Sequence, residues 1–190
     1  FANLKVKDAI VDRLLEKTGS RPDSGKERKG LLFHLYWKQD KAWLYLNTSG
    51  QKLSDRGYRK MPHSAPMRES LAAAVLRAAK YDGSVPLVNP MCGSGTLAIE
   101  AALIATHKAP GLLRSRYAFL EMKEYDAAWW KSIRTEALND SRRYTKTNKP
   151  GIIVATDCDP KAIQAARKNA QTAGVEPWIE FHVCDFTETA

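Results

Sequence analysis

The sequence predicts an α/β chain whose larger part builds a parallel sheet crossed by helices. Three observations carry this. Short apolar or β-branched runs at 85–88, 152–156 and 178–183 alternate with helical patterns at 96–106 and 160–173, and strand–helix alternation of this kind builds parallel sheets. A Gly-x-Gly turn, Gly93-Ser94-Gly95, stands between the first strand and its helix. Hydrophobic residues make up 44% and charged residues 27%, which is a globular balance rather than that of a disordered tail.

The elements follow in order. Val6, Ile10 and Leu14 fall four apart, with Val11 and Leu15 beside them, and predict an amphipathic helix over 4–17 with Gly19 as its cap. Pro22, Gly25 and a charge run make 20–30 a loop. Leu31, Phe33, Leu35 and Trp37 alternate at period two, as do Ala42, Leu44 and Leu46. This is a hairpin over 31–37 and 42–47 with one buried face, which puts Phe33 and Trp37 in a core. Residues 51–62 look like a linker. A helix is expected from Pro66, tolerated in a first turn, to about Lys80. Asp82-Gly83-Ser84 break it. Residues 112–150 read as a long, partly helical insert in which Trp129 and Trp130 pack. Pro160 opens and Gly174 closes the last helix.

Charge divides the chain. Residues 1–62 carry 14 Lys/Arg against 7 Asp/Glu, and 63–190 carry 16 against 14. The basic excess therefore sits in the first third, where it suits a polyanion such as nucleic acid; a solvated basic face is the alternative. No apolar run approaches the ~20 residues that span a bilayer. The start has neither an initiator Met nor a signal-peptide layout, and the chain reads as cut from something longer. Cys92, Cys158 and Cys184 are widely spaced without a CxxC, which reads as reduced cytoplasmic thiols. His34, His63, His107 and His182 show no metal spacing. Ser94 is not in a G-x-S-x-G elbow, so a hydrolase is excluded.

The most informative stretch is Asn89-Pro90-Met91-Cys92-Gly93-Ser94-Gly95-Thr96. Glycines let the backbone bend sharply and touch a ligand, and the helix starting near Thr96 aims free N–H groups at an anionic group. Asp157 closes the second strand, where a carboxylate accepts ribose hydroxyls. The alternative for Asp157 is a helix cap, a role for which Asp159 is better placed. Asp185-Phe186 closes the third strand, where an acid and a ring suit an adenine; for Phe186 the alternative is core packing. Gly93-x-Gly95-x-x-Ala98 also fits a dinucleotide fingerprint, but that predicts the ribose acid about 20 residues past the glycines. Asp157 lies 64 residues after Gly93.

Taken together, Asn89–Thr96, Ala109-Pro110-Gly111, Asp157-Cys158-Asp159-Pro160 and Cys184-Asp185-Phe186 resemble the THUMP-containing, S-adenosylmethionine-dependent RNA guanine-N2 methyltransferases. The likeness is strongest to the bacterial large-subunit ribosomal RNA type, often labelled adenine-N6 DNA methylases. Lys5–Asp12, Asn47–Gly50, Arg56-Gly57-Tyr58-Arg59 and Ala65-Pro66 with Glu69 extend it upstream. The resemblance implies a Rossmann-like class I methyltransferase sheet in 63–190, preceded in 1–62 by the end of a THUMP-like α+β domain. It implies that Asn89, Pro90, Met91, Cys92, Gly93, Gly95 and Thr96 cradle S-adenosylmethionine. Asp157 would lie at its ribose, Asp185 and Phe186 at its adenine, and Ala65 and Pro66 over its methionine end, with Cys158 also among the cofactor-binding residues. It further implies ribosomal RNA as partner, a cytoplasmic setting and no membrane. Asn89 departs from the family's usual Asp. The acceptor motif Asp/Asn-Pro-Pro-Tyr/Phe is absent, so the chain is expected to hold cofactor while containing no catalytic residue. An adenine-N6 DNA methylase, a non-catalytic RNA-binding module and a dehydrogenase remain as other readings.

Overall fold

The computed structural model describes residues 1–23, 31–148 and 150–189. The chain forms two compact units, Phe1–Gln51 with Arg116–Tyr125, and Lys52–Ser115 with Asp126–Ala190. The division falls at 51/52 rather than at the expected 62/63. Residues 52–62, read from sequence as a linker, pack with the second unit, and Tyr58 is 1% exposed.

In the first unit, helix α1 (Ala2–Thr18) ends where Gly19 turns left-handed at φ 70°. Strands β1 (Leu32–Lys38) and β2 (Lys41–Asn47) pair antiparallel. Of the expected loop at 20–30, residues 24–30 lie outside those described. The register sets Phe33 opposite Leu46, Leu35 opposite Leu44 and Trp37 opposite Ala42, so the alternating residues share one face as the pattern requires. That face is not a core. Phe33 is 50% and Trp37 59% exposed, because a two-stranded ribbon supplies only one layer. The Asn47 side chain accepts from the Ser49 and Gly50 amides and closes the Asn47–Gly50 turn. The returning segment joins there, with the Phe119 amide donating to the Thr48 carbonyl.

In the second unit, strands β3 (Leu87–Asn89), β4 (Ile153–Asp157) and β5 (Ile179–Val183) form a parallel sheet in the order β3-β4-β5. Helix α2 (Glu69–Ala78) begins later than expected. Arg68 is its extended N-cap, and Pro66 lies before the helix rather than in its first turn. Helices α3 (Thr96–Ala105) and α5 (Pro160–Ala173) bring small residues to the sheet: Ala98, Ala102, Ala166, Ala170 and Ala173 are fully buried. In α5, Asp159 accepts from the Lys161 amide as N-cap, Pro160 begins the helix, and Gly174 ends it at φ 64°. The insert folds as helix α4 (Ala127–Thr147), capped by Asp126. Ser141 Oγ donates to the Thr106 carbonyl, and Tyr144 stacks on His107 at 3.5 Å. Trp130 packs beneath the Arg134 guanidinium, but Trp129 is 66% exposed and does not join a core. Among the described residues, no helix is long and apolar enough to cross a membrane.

A buried acid in α3 gives the fold a pH dependence. Glu100 is 2% exposed, accepts from Tyr58 Oη at 3.1 Å and faces Arg56 Nε at 3.6 Å. Burial raises its pKa, and the opposing pull of Arg56 does not cancel this. A carboxyl raised in the folded state holds its proton more tightly folded than unfolded. Its contribution is therefore fullest below the ordinary value of 4.5 and is lost as pH rises through the folded value. Glu100→Gln removes this titration. The stability of the wild type relative to Glu100→Gln should fall as pH is raised from below 4.5 toward neutrality. Chemical denaturation at a series of pH values checks it, and a difference that stays constant would contradict it.

Candidate binding site at the carboxyl edge of the sheet

Parallel strands place their carboxyl ends together, and ligands of open α/β sheets bind outside that edge. Here Asn89 is level with Ala155, and Asp157 with Val183. The loop after β3 is bound to the end of β4 twice. The Cys92 amide donates to the Thr156 carbonyl at 2.8 Å, and the Gly93 amide donates to Asp157 Oδ2 at 2.9 Å. Asp157 Oδ1 accepts from the Asp159 amide at 3.0 Å, and the Asp157 carbonyl accepts from the Cys184 amide at 3.2 Å. Asp157 thus ties the ends of all three strands together. Asp159, not Asp157, caps α5. An ionised carboxylate has about four acceptor sites; two amides leave Asp157 able to accept further donors.

The two glycines do different things. At Gly93, φ is 55° and a Cβ would meet nothing within 4 Å; the space above it is open. At Gly95, φ is 80° and a Cβ would lie 2.8 Å from Ala166 Cβ. Gly95 is therefore required by the approach of α3 to α5, independently of any ligand. Between them Ser94 is 4% exposed and accepts at its carbonyl from Asn169 Nδ2. Met91 is 70% exposed, and Cys92 is buried, its thiol pushed up to about 12 by burial and by Asp157.

Asn89 ends β3 with its Nδ2 donating to the Pro90 carbonyl at 3.4 Å, which leaves Oδ1 buried without a hydrogen-bond partner. A buried acceptor left unmade costs about 1–3 kcal/mol, so this oxygen suits a cationic donor. Cys158 is exposed. Asp185 Oδ1 accepts from the amide and hydroxyl of Thr187, which hold the carboxyl below its ordinary range. Phe186 is 58% exposed, so core packing does not explain it. Ala65 adopts φ 45° in the segment before α2 and Pro66 is exposed.

Three side chains that the sequence reading did not single out as site residues hold this edge. Arg59 Nη2 donates to the Met67 carbonyl at 2.6 Å and to Thr96 Oγ1 at 3.0 Å. Asn169 bonds Lys60, Met61 and Ser94. His63 Nε2 lies 3.1 Å from Asp159 Oδ2. Asn169 had a visible signal, since it is the polar residue on the alanine face of α5. Arg59 stood within the Arg-Gly-Tyr-Arg motif but was placed on a linker.

A glycine loop after the first strand of a parallel sheet, joined by its amide to an acid closing the second, defines an α/β domain of the class I methyltransferase kind. Comparison with known proteins gives the family: residues 56–190 match the RMKL-like methyltransferase domain, and the chain belongs to that family. It is 44% identical over 188 residues to ribosomal RNA large subunit methyltransferase K/L of Aliivibrio fischeri, covering 99% of this chain and 26% of that protein. The chain thus spans about a quarter of the length of such relatives. A predicted N6-adenine-specific DNA methylase from Listeria monocytogenes matches with a TM-score of 0.82 and 32% identity, over 97% of this chain and 47% of that one. The crystal structure of SMU.472 complexed with SAH matches at 0.79 and 32%, with the same coverage.

Proposed function

We propose that this chain binds S-adenosylmethionine at the carboxyl edge of β3-β4-β5, as part of a cytoplasmic enzyme that methylates a guanine N2 in large-subunit ribosomal RNA. The buried, unpartnered Asn89 Oδ1 carries the reading. It offers an acceptor to the methionine ammonium. Asp157 accepts from the ribose hydroxyls while keeping its amide bonds. Asp185 accepts from the adenine amine and Phe186 covers the ring, with Pro90, Met91, Cys92, Gly95, Thr96, Cys158, Ala65 and Pro66 completing the cradle. The relatives' name and the basic residues 1–62, read as the end of a THUMP-like module, support RNA over DNA as acceptor.

When bound, S-adenosylmethionine supplies a sulfonium methyl group that transfers in line to a nucleophilic amine. The residues of this chain bind and orient it, which is where much of the barrier reduction in a two-substrate reaction originates. The acceptor motif of the family does not occur in these 190 residues, so positioning the guanine is assigned to other parts of the enzyme.

The Asn89→Asp variant tests the assignment. A carboxylate beside an ammonium makes a stronger, charge-assisted bond, so affinity for S-adenosylhomocysteine should rise about ten-fold. Without ligand, the unpaired carboxylate should lower the melting temperature. Thermal melting with and without S-adenosylhomocysteine reads both effects, with NADH as the control expected to give no shift. Unchanged affinity in the variant, or a shift with NADH alone, would contradict the reading.

A further inference from the structure

Residues 52–68 run across the second unit as a belt, and side chains from far along the chain hold it. Arg114 donates to the Lys52 carbonyl, Tyr58 donates to Glu100, and His63 meets Asp159. Two attachments differ from these, because one side chain bonds the belt and the glycine loop at once. Asn169 is fully buried, and all of its polar capacity is used. Its Oδ1 accepts from the amides of Lys60 at 2.9 Å and Met61 at 3.0 Å. Its Nδ2 donates to the Met61 carbonyl at 2.9 Å and to the Ser94 carbonyl at 3.2 Å. Arg59, itself in the belt, reaches the Met67 carbonyl and Thr96 Oγ1 from a single nitrogen, with Glu69 Oε1 3.6 Å from its Nε.

Holding the belt alone would need only the bonds to Lys60, Met61 and Met67. The bonds to Ser94 and Thr96 bring in the middle of the Gly-Ser-Gly turn and the first residue of α3. Ala65 and Pro66 lie on the belt between these attachment points. We propose that Arg59 and Asn169 are positioning residues for S-adenosylmethionine. They set the spacing between the glycine loop and the 60–67 segment, so that the two walls at the methionine end move as one. This rests on the cofactor reading given above.

The test uses the full chain, S-adenosylhomocysteine as probe, calorimetry for affinity and amide hydrogen exchange for the belt. In the wild type, ligand should slow exchange in both 92–96 and 60–67. Arg59→Met removes the shared donor. Its affinity should fall about ten-fold, since bonds to charged donors are the stronger kind. Ligand should then no longer slow exchange in 60–67, and Arg59→Lys, which keeps a charged donor, should fall between the two. Arg59→Met with affinity within about two-fold of the wild type, or with ligand still protecting 60–67, overturns the positioning role. If Arg59→Met does not fold, Arg59→Lys decides: weaker binding at an unchanged melting temperature supports the role, and unchanged binding overturns it. Failure of the wild type to bind at all refutes the cofactor reading itself, a result separable from binding that these variants leave untouched.

Discussion

Gly95→Ala is expected to destabilise the protein by about 2–5 kcal/mol, combining a left-handed backbone penalty with overpacking. The new methyl would be driven to 2.8 Å from Ala166 Cβ and 3.1 Å from its Cα. Neither is the free end of a flexible side chain, so α3 and α5 must move apart. Both helices belong to the core, and the melting temperature should fall by several degrees or more. Gly93→Ala is the informative partner. It keeps the backbone penalty of about 1–2 kcal/mol but meets nothing within 4 Å. Its methyl instead enters the space assigned to the ligand. Gly95→Ala should therefore be read mainly in melting, and Gly93→Ala mainly in S-adenosylhomocysteine affinity by calorimetry. A Gly95→Ala variant that melts like the wild type would contradict the packing role.

Asp157→Ala should cost at least about a hundred-fold in S-adenosylhomocysteine affinity, the equivalent of losing two hydrogen bonds to a charged group. Stability should fall far less. The amides of Gly93 and Asp159 lose an acceptor, at about 1 kcal/mol apiece if water replaces it. The α5 cap is untouched, because Asp159 provides it. Calorimetry beside thermal melting separates the effects. A large drop in melting temperature with affinity intact would mean that Asp157 serves the fold and not a ligand.

The parts of the fold that were legible in the sequence are those whose signals are local. The β-branched run of β4, the Asp159-Pro160 opening and the Gly174 ending of α5 each fix their own conformation through neighbouring atoms. The glycine loop and Asp157 were legible because strand and helix patterns on either side place them at one sheet edge. Burial of the hairpin was not. Alternation says which residues share a face, as Phe33, Leu35 and Trp37 do, but not whether another layer lies over it. The belt was missed for a related reason. Residues 52–62 are without regular structure and carry no periodic apolar pattern, so they read as a linker. What fixes them are Asn169, 108 and 109 residues away from its belt partners, and Thr96, 37 residues from Arg59. No local pattern encodes bonds of that range. The start of α2 was misplaced for the same cause, since the Met67 carbonyl is held by Arg59 while Arg68 stays extended as the cap.

The loop after β3 and the ends of β4 and β5 form one site. A crystal structure of the chain with S-adenosylhomocysteine tests it most directly. The amino group of the ligand is expected at Asn89 Oδ1, its ribose hydroxyls on Asp157 and its adenine between Asp185 and Phe186, with Gly93 beneath it. Ligand bound elsewhere, or at this edge with its ribose away from Asp157, would contradict it.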